Sequence, residues 1–351
     1  MNKRINTKEI KIGDISIGNN NPIAIQSMTK TDTRNITDTI EQIKKLEDAG
    51  CDIIRVAVIN MEAARAIKEI KKSIKIPIVA DIHFDYRLAL QSIESGINKL
   101  RINPGNIGEV NRVKEIVMKA KERNIPIRIG VNSGSLEKSI YKKYKGITPE
   151  ALVESAKRHI EILDDLNFEN IVVSIKSSNV LLSIEAYKQF SQKYNYPLHI
   201  GITESGTYST GTVKSSVGMG ILLYNGIGDT IRVSLTSDPI DEIKVGEELL
   251  KSLDLFKKEK IQFISCPTCG RTEIDLISIA NRVETECRNI KKNIKVAVMG
   301  CAVNGPGEAK DADIGIAGGK NKAVLFKKGE IIRSIKEEHI VEEVIKEINK
   351  I

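Results

Sequence analysis

Gly50-Cys51-Asp52-Ile53-Ile54-Arg55-Val56-Ala57-Val58 lies between two helical patterns, near residues 37–50 and 61–73. The glycine suits a helix C′ position, and the apolar run after it has the length of a buried strand. The rhythm recurs. Eight short apolar runs, at 22–28, 53–58, 77–83, 99–104, 126–134, 171–177, 198–206 and 230–236, each precede a helical stretch. The helices are expected near 37–50, 61–73, 85–96, 108–123, 148–165, 179–194, 209–225 and 239–255. Gly96 and Gly226 again suit helix ends. Thr37, Thr148 and Asp238 suit N-caps, with Pro149 and Pro239 at the first helical position. This alternation predicts βα units on a parallel sheet. Eight in succession predict an α/β chain folded as a TIM (β/α)8 barrel. An open doubly wound sheet is the alternative, but no G-x-G-x-x-G follows the first strand.

Outside the rhythm, residues 1–21 are polar, with alternating pieces such as Glu9-Ile10-Lys11-Ile12, and are expected to cap the barrel. Lys257-Lys258-Glu259-Lys260 reads as a charged linker. The expected domains are a barrel over 1–256 and a smaller α/β unit over 261–351. The second has strands near 261–265, 295–299, 314–317 and 323–326, and helices near 273–290 and 337–350.

The 351 residues suit two domains. With 41% hydrophobic residues, only 4% aromatic and no tryptophan, the core must be aliphatic. The formal net charge of +8 favours an acidic small substrate or an acidic protein partner. No aromatic-interleaved basic motif speaks for nucleic acid. Five cysteines make no disulfide scaffold. The first residues, Met1 to Asn6, carry no apolar signal segment, and no apolar run approaches a membrane span. A cytoplasmic protein with no membrane partner is expected.

Inward positions of a barrel strand are ordinarily aliphatic or small. Five runs break that rule with a cation: Arg55, Arg101, Arg128 and Arg232 between apolar neighbours, and Lys176 after Ile175. Asn103, Asn132 and Ser234 continue the same phase. Asp81 and His83 share a phase in the third strand, and Glu204 is expected to end the seventh. Buried charge is costly unless paired. Two strand carboxylates against five cations leave surplus positive charge near the strand ends, where barrels build their sites. Its natural counter-ion is a substrate with two or more negative charges, such as a diphosphate, whose oxygens match arginine forks.

A second constellation is Cys266-Pro-Thr-Cys269-Gly270 with Met299-Gly300-Cys301-Ala-Val-Asn304-Gly305-Pro306-Gly307-Glu308. Thiolates in turn-rich loops select zinc, Cu(I) or an iron–sulfur cluster. A structural zinc site ordinarily has a fourth Cys or His. Thioredoxin-like chemistry would leave Cys301 unexplained. Buried, inert thiols are the third reading. Three thiolates with one odd ligand fit the pattern best as a cluster site. Cys287 shares a helix face with Leu276, Ala280 and Val283 and is expected in the core, as is Cys51.

The two cysteine motifs resemble those of the 4-hydroxy-3-methylbut-2-enyl diphosphate synthase family, and the resemblance covers essentially the whole chain. It implies an iron–sulfur oxidoreductase of the non-mevalonate isoprenoid (MEP) pathway. The implied reaction is reductive ring opening of 2-C-methyl-D-erythritol 2,4-cyclodiphosphate with loss of water. One 4Fe–4S cluster per chain is implied, on Cys266, Cys269, Cys301 and Glu308. Arg55, His83, Arg101, Arg128, Asn132, Lys176, Arg232 and Ser234 match the family's substrate pocket, and Glu204 matches its catalytic carboxylate. Asn304 is expected to hydrogen-bond the substrate. The Gly211 to Gly220 signature is also present, with Lys214 at an expected helix start. Flavodoxin or ferredoxin is the implied electron donor. Two other classes fit less of the pattern: another cluster enzyme acting on a phosphorylated substrate, and a zinc protein binding nucleic acid. Radical S-adenosylmethionine enzymes typically show C-x-x-x-C-x-x-C, which is absent here.

The eighth helix returns to the lower face of a barrel, so the linker should start there. Residues 257–260 reach about 14 Å at most, against a barrel height of roughly 30 Å. The expectation is a head-to-tail homodimer whose active sites are shared between chains, as the resemblance also implies.

Overall fold

A computed structural model of the chain describes residues 3–107, 110–288 and 290–351. Residues 108 and 109, where one expected helix begins, and 289, near the end of another, lie outside the described residues. So do residues 1 and 2 of the expected N-terminal cap. The chain divides into two compact units, Met1–Phe256 and Lys257–Ile351.

The first unit opens with an antiparallel hairpin, β1 (Ile10–Ile12) and β2 (Ile15–Ile17). Eight parallel strands follow: β3 (Ala24–Met28), β4 (Ile53–Ala57), β5 (Ile78–Asp81), β6 (Lys99–Ile102), β7 (Ile127–Asn132), β8 (Ile171–Lys176), β9 (His199–Ile200) and β10 (Thr230–Ile231). Their order is β8-β7-β6-β5-β4-β3-β10-β9. A bridge between Val173 and Leu198 joins the two ends, so the sheet curls into a barrel as the alternation predicts.

The helices are α1 (Ile36–Asp48), α2 (Met61–Lys72), α3 (Tyr86–Glu94), α4 (Val110–Glu122), α5 (Lys138–Tyr144), α6 (Pro149–Asp164), α7 (Val180–Lys193), α8 (Tyr208–Tyr224) and α9 (Pro239–Ser252). Gly50, Gly96 and Gly226 follow helix ends at φ of 105°, 89° and 78°, in the left-handed region that favours glycine. Thr148 and Asp238 cap α6 and α9 through Ala151 N and Ile240 N. Thr37 does not cap. Asn35 Oδ1 accepts from Asp38 N at 3.2 Å, so the cap of α1 stands two residues before Thr37.

Alternation sorts the strand side chains. Ile54, Val56, Leu100, Ile102, Ile127 and Ile129 belong to the large core that includes helix residues such as Ile43, Ile67 and Ile116. Ala24, Ile53, Val79 and Val172 have the opposite phase and meet Ile10, Ile12 and Ile17 of the hairpin, which close the lower end of the interior. The N-terminal segment is tied down where Arg4 Nη2 meets Asp229 Oδ1 at 2.9 Å.

In the second unit the sheet runs β11 (Gln262–Ser265), β12 (Lys295–Met299), β13 (Ile314–Gly319), β14 (Lys322–Lys327) and β15 (Glu330–Lys336). The first three are parallel and the last two antiparallel to their neighbours. α10 (Leu276–Cys287) and α12 (Ile340–Lys350) share a core with Val296, Val298, Ile314 and Ile316. The four-residue α11 (Gly305–Glu308) packs with Ala297, Met299, Ala317 and Phe326 through its neighbour Ala309. Cys287 is 4% exposed in the core, as is Cys51, and burial raises the Cys287 thiol to about 11. Among the described residues no helix is long and apolar enough to cross a membrane.

Candidate active site

The barrel interior is charged above its apolar floor. Arg101 is 5% exposed and donates from Nη1 to Asp81 Oδ1 at 3.1 Å. Arg55 Nε stands 3.8 Å from Asp81 Oδ2 and 3.1 Å from the Met28 sulfur. The His83 ring lies beyond the end of β5, with Nε2 3.3 Å from Arg101 Nη1, and is more than half exposed. Asn103 is buried and its Oδ1 accepts from Gly130 N at 2.9 Å. Gly130 leaves room for the guanidinium: a Cβ would stand 3.0 Å from Arg101 Nε and force it to shift.

Arg128 is 2% exposed, and neither its Nε nor its Nη1 has a hydrogen-bond partner. Gln26 Nε2, Arg101 Nε and Arg232 Nε are buried and unpartnered in the same way. Lys176 ends β8, with Nζ 3.4 Å from His199 Nε2. Asn132 ends β7 directly beside it in register. Arg232 and Ser234 follow β10, half-buried.

Burial penalises these cations first, and each adds to its neighbours' cost. Desolvation, then Arg232, draws Arg55 down to about 9. Burial, then Arg55 and Arg101, draws Arg128 well below the guanidinium range. An arginine still keeps its proton at neutral pH. Asp81 goes the other way: burial would raise it, but Arg55, the His83 hydrogen bond, Arg101 and Arg128 together hold it far below the carboxylate range. Glu242 on α9 is the other buried carboxylate facing this group. It accepts from Ser27 Oγ and Leu235 N and acts on Arg232 and Arg55.

The structure adds residues to this interior that the sequence reading passed over. Lys99 is fully buried with Nζ 3.3 Å from Gln26 Oε1, and His199 is fully buried beside Lys176. Strict alternation could have found Lys99, two residues before Arg101 on the same strand. His199 opens a two-residue strand, too short for alternation to register.

Two expectations are corrected. Glu204 does not end a strand. β9 stops at Ile200, and at Gly201 the chain runs against the Arg232 carbonyl, where any Cβ would stand at 2.5 Å. Glu204 is exposed on the following loop, at φ 52°. Lys214 is not at a helix start either. α8 begins at Tyr208, so Lys214 lies in its second turn, exposed.

In the second unit Cys266 directly follows β11, and Gly300-Cys301 directly follow the adjacent parallel strand β12. Gly300 N donates to Cys266 Sγ at 3.1 Å. Gly305 N donates to Cys301 O at 3.1 Å, which ties α11 to that loop, and Glu308 closes α11. Cys269 is exposed, and its N–H donates to Thr272 Oγ1 at 3.2 Å. Asn304 and Glu308 are exposed. A Cβ at Gly270 or Gly307 would meet nothing within 4 Å, so both loops leave open space beside their donors. Among the described residues no three Cys, His, Asp or Glu side chains stand close enough to grip one ion. The loops carry three thiols and a carboxylate at one end of the sheet without a closed cage. This donor set, with an N–H already aimed at one sulfur, fits a thiolate-held iron–sulfur group.

Residues 7–247 match the family described as the GcpE TIM-barrel domain, and residues 262–350 the GcpE protein C-terminal domain. A curated relative from Caldanaerobacter subterraneus subsp. tengcongensis is 63% identical, covering 98% of this chain and 97% of that protein. One from Clostridium perfringens is 60% identical, with 100% of both chains covered. Both are called 4-hydroxy-3-methylbut-2-en-1-yl diphosphate synthase (flavodoxin). Among solved structures, Yersinia pestis dihydropteroate synthase superposes with a TM-score of 0.50 at 10% identity, over 70% of this chain and 98% of that one. That likeness concerns the barrel fold alone.

Proposed function

The chain belongs to the GcpE family of 4-hydroxy-3-methylbut-2-en-1-yl diphosphate synthases, and on that premise we propose that it opens 2-C-methyl-D-erythritol 2,4-cyclodiphosphate reductively. The reaction consumes two electrons and one proton. A ring C–O bond breaks, the diphosphate stays on the other carbon, and the neighbouring hydroxyl leaves as water while a C=C bond forms. The observation that carries this reading is the surplus of buried cations in the barrel. Arg55, Lys99, Arg101, Arg128, Lys176 and Arg232 face Asp81 and Glu242, and several of their nitrogens have no partner.

Each residue has a task. Arg128, Arg101, Arg55, Arg232 and Lys176 bind the two phosphates and stabilise the charge that develops on the departing ring oxygen. Asp81 keeps Arg101 and Arg55 oriented. His83, Asn132 and Ser234 hold the sugar-derived carbons and hydroxyls at the mouth. Glu204 delivers the proton to the departing hydroxyl, and Asn304 hydrogen-bonds the substrate. Cys266, Cys269, Cys301 and Glu308 would hold one 4Fe–4S cluster, which supplies electrons one at a time when bound.

Flavodoxin, named in the relatives' descriptions, is the proposed donor, and the +8 net charge suits an acidic protein of that kind. The protein is proposed to be cytoplasmic, where thiols stay reduced. The short linker at 257–260 supports a head-to-tail homodimer in which one chain's cluster serves its partner's barrel. The test is an anaerobic assay with reduced flavodoxin and the cyclodiphosphate, followed by phosphorus NMR. Wild-type protein is expected to form the open diphosphate. Arg128→Gln is expected to raise KM about ten- to hundred-fold, from the 1.5–3 kcal/mol of a charged hydrogen bond. No product from an iron-loaded wild type would overturn the reading.

A further inference from the structure

Lys176 and His199 face each other across the seam where the barrel's backbone pairing is thinnest. β8 and β9 share the bridge from Val173 to Leu198. Beside it the Tyr187 hydroxyl stands in for a ladder bond, accepting from Ile175 N at 3.0 Å and donating to His199 O at 2.8 Å. Inside this seam Lys176 Nζ is 3.4 Å from His199 Nε2, and His199 Nδ1 is 2.7 Å from Thr230 Oγ1. His199 is 0% exposed and Lys176 7%. Gly201 leaves the room for the amine, since a Cβ there would stand 3.0 Å from Nζ.

Among the described residues, the charges that act most strongly on the pair from the barrel wall are positive. Lys176 is faced by Arg128 from β7, Arg232 after β10, Arg55 from β4 and Arg101 from β6. Lys99, from β6, also faces His199. The nearby carboxylates are engaged elsewhere: Asp81 with Arg101 and Arg55, Glu242 from α9 with Ser27 and Leu235. Guanidinium groups cannot shed charge near neutral pH. Relief of the repulsion therefore falls on the lysines and the imidazole. Lys99 opens β6 and is fixed on Gln26, whereas Lys176 ends β8 at the mouth, where an anion arrives.

We propose that Lys176 is a neutral amine in the substrate-free enzyme and takes up one proton when the cyclic diphosphate binds, with His199 and Thr230 as positioning residues that accommodate both forms. The neutral amine accepts from His199 Nε2–H while the Thr230 hydroxyl donates to Nδ1. The ammonium instead donates to the Nε2 lone pair, and Nδ1–H donates to Thr230 Oγ1. A hydroxyl, being both donor and acceptor, can reverse its role in this way. The imidazole keeps one hydrogen in both states, so one solvent proton is added in total, on Nζ. Burial, then Arg128, holds both Lys176 and His199 well below their ordinary values, in keeping with this assignment. The inference rests on the reading that the barrel binds this substrate. In a cyclic diphosphate each phosphorus carries one strongly acidic oxygen, so the ligand itself has no proton to exchange near neutral pH.

The test is anaerobic calorimetry of substrate binding near neutral pH, in PIPES and in Tris, whose ionisation enthalpies differ. Wild-type binding heat should depend on the buffer and report uptake of close to one proton per site. Lys176→Arg keeps a positive charge but cannot lose it, so its binding heat, whatever its affinity, should no longer depend on the buffer. Thr230→Val removes the reversible hydroxyl at nearly constant volume and should move the pH at which uptake is half complete. Buffer-independent binding by the wild type, or unchanged uptake in Lys176→Arg, would overturn the proposal. Absence of any binding heat in both buffers would instead overturn the substrate reading beneath it.

Discussion

Gly130 and Arg101 are matched across adjacent strands: a side-chain carbon on Gly130 would stand 3.0 Å from Arg101 Nε and 3.1 Å from Nη2. Gly130→Ala should therefore shift the guanidinium relative to Asp81 and, if Arg101 binds the substrate as proposed, weaken that contact. Loss of a charged hydrogen bond, about 1.5–3 kcal/mol, corresponds to roughly ten- to hundred-fold weaker substrate binding. Gly134→Ala, where a Cβ would meet nothing within 4 Å, is the control and should bind normally. Equal affinities for the two variants would separate Arg101 from the substrate.

Lys99 should cost the empty barrel stability. It is fully buried, and Gln26 is a neutral partner. Burial, then Arg128 and Arg55, holds its amine well below 10.5, and burial likewise holds His199 below 6.5. The folded state then binds fewer protons than the unfolded chain, so stability should rise with pH, through His199 up to about 6.5 and through Lys99 up to about 10.5. Lys99→Met should lessen that slope, with Lys176 supplying what remains, and raise stability at neutral pH by about 1–4 kcal/mol, as replacement of buried charge by apolar volume can do. Urea midpoints across the pH range measure both. A destabilised variant with an unchanged slope would show that Lys99 is charged and satisfied in place.

Much of this was legible in the sequence because two periodicities were clean. Runs such as Ile53 to Val58, framed by Gly50 and a helical pattern, fixed the barrel, and the cations at Arg55, Arg101 and Arg128 kept strand phase. The reading failed where local pattern stops carrying information. β9 and β10 are two residues long, so Glu204 was drawn into a strand that ends at Ile200. β15 was missed because its first five residues are all exposed, which erases the alternation, as befits an edge strand rich in charge. α5 and α11 have seven and four residues, too few to show a face. The Lys176–His199 contact joins residues far apart in sequence across a seam, and no spacing rule reaches it.

The cysteines should separate by role. Cys266→Ser, Cys269→Ser and Cys301→Ser should each lose iron and the broad visible absorption of a cluster, since serine replaces a thiolate poorly. Cys287, buried with a thiol raised to about 11, is a packing residue. Cys287→Ser should keep its iron and lose roughly 1–3 kcal/mol of stability from an added buried hydroxyl. Iron and sulfide analysis of anaerobically purified variants decides. A Cys301→Ser protein with full iron beside a Cys287→Ser protein without it would reverse the assignment.

Sharing of sites between chains has a sharp genetic test. The residues at 257–260 reach about 14 Å when extended, roughly half the height of a barrel with its loops. A cluster carried beyond such a linker would serve the partner's barrel. Glu204→Gln lies in the barrel unit and Cys301→Ser in the second unit, and each variant alone should be inactive. Co-expressed with different tags, they can be isolated as a mixed dimer. With shared sites, one site of that dimer carries both lesions and the other neither, so activity should return to about half that of the wild type. With each site built from a single chain, both sites carry one lesion and the mixed dimer stays inactive. An inactive mixed dimer that retains iron in its one intact cluster loop would therefore refute sharing.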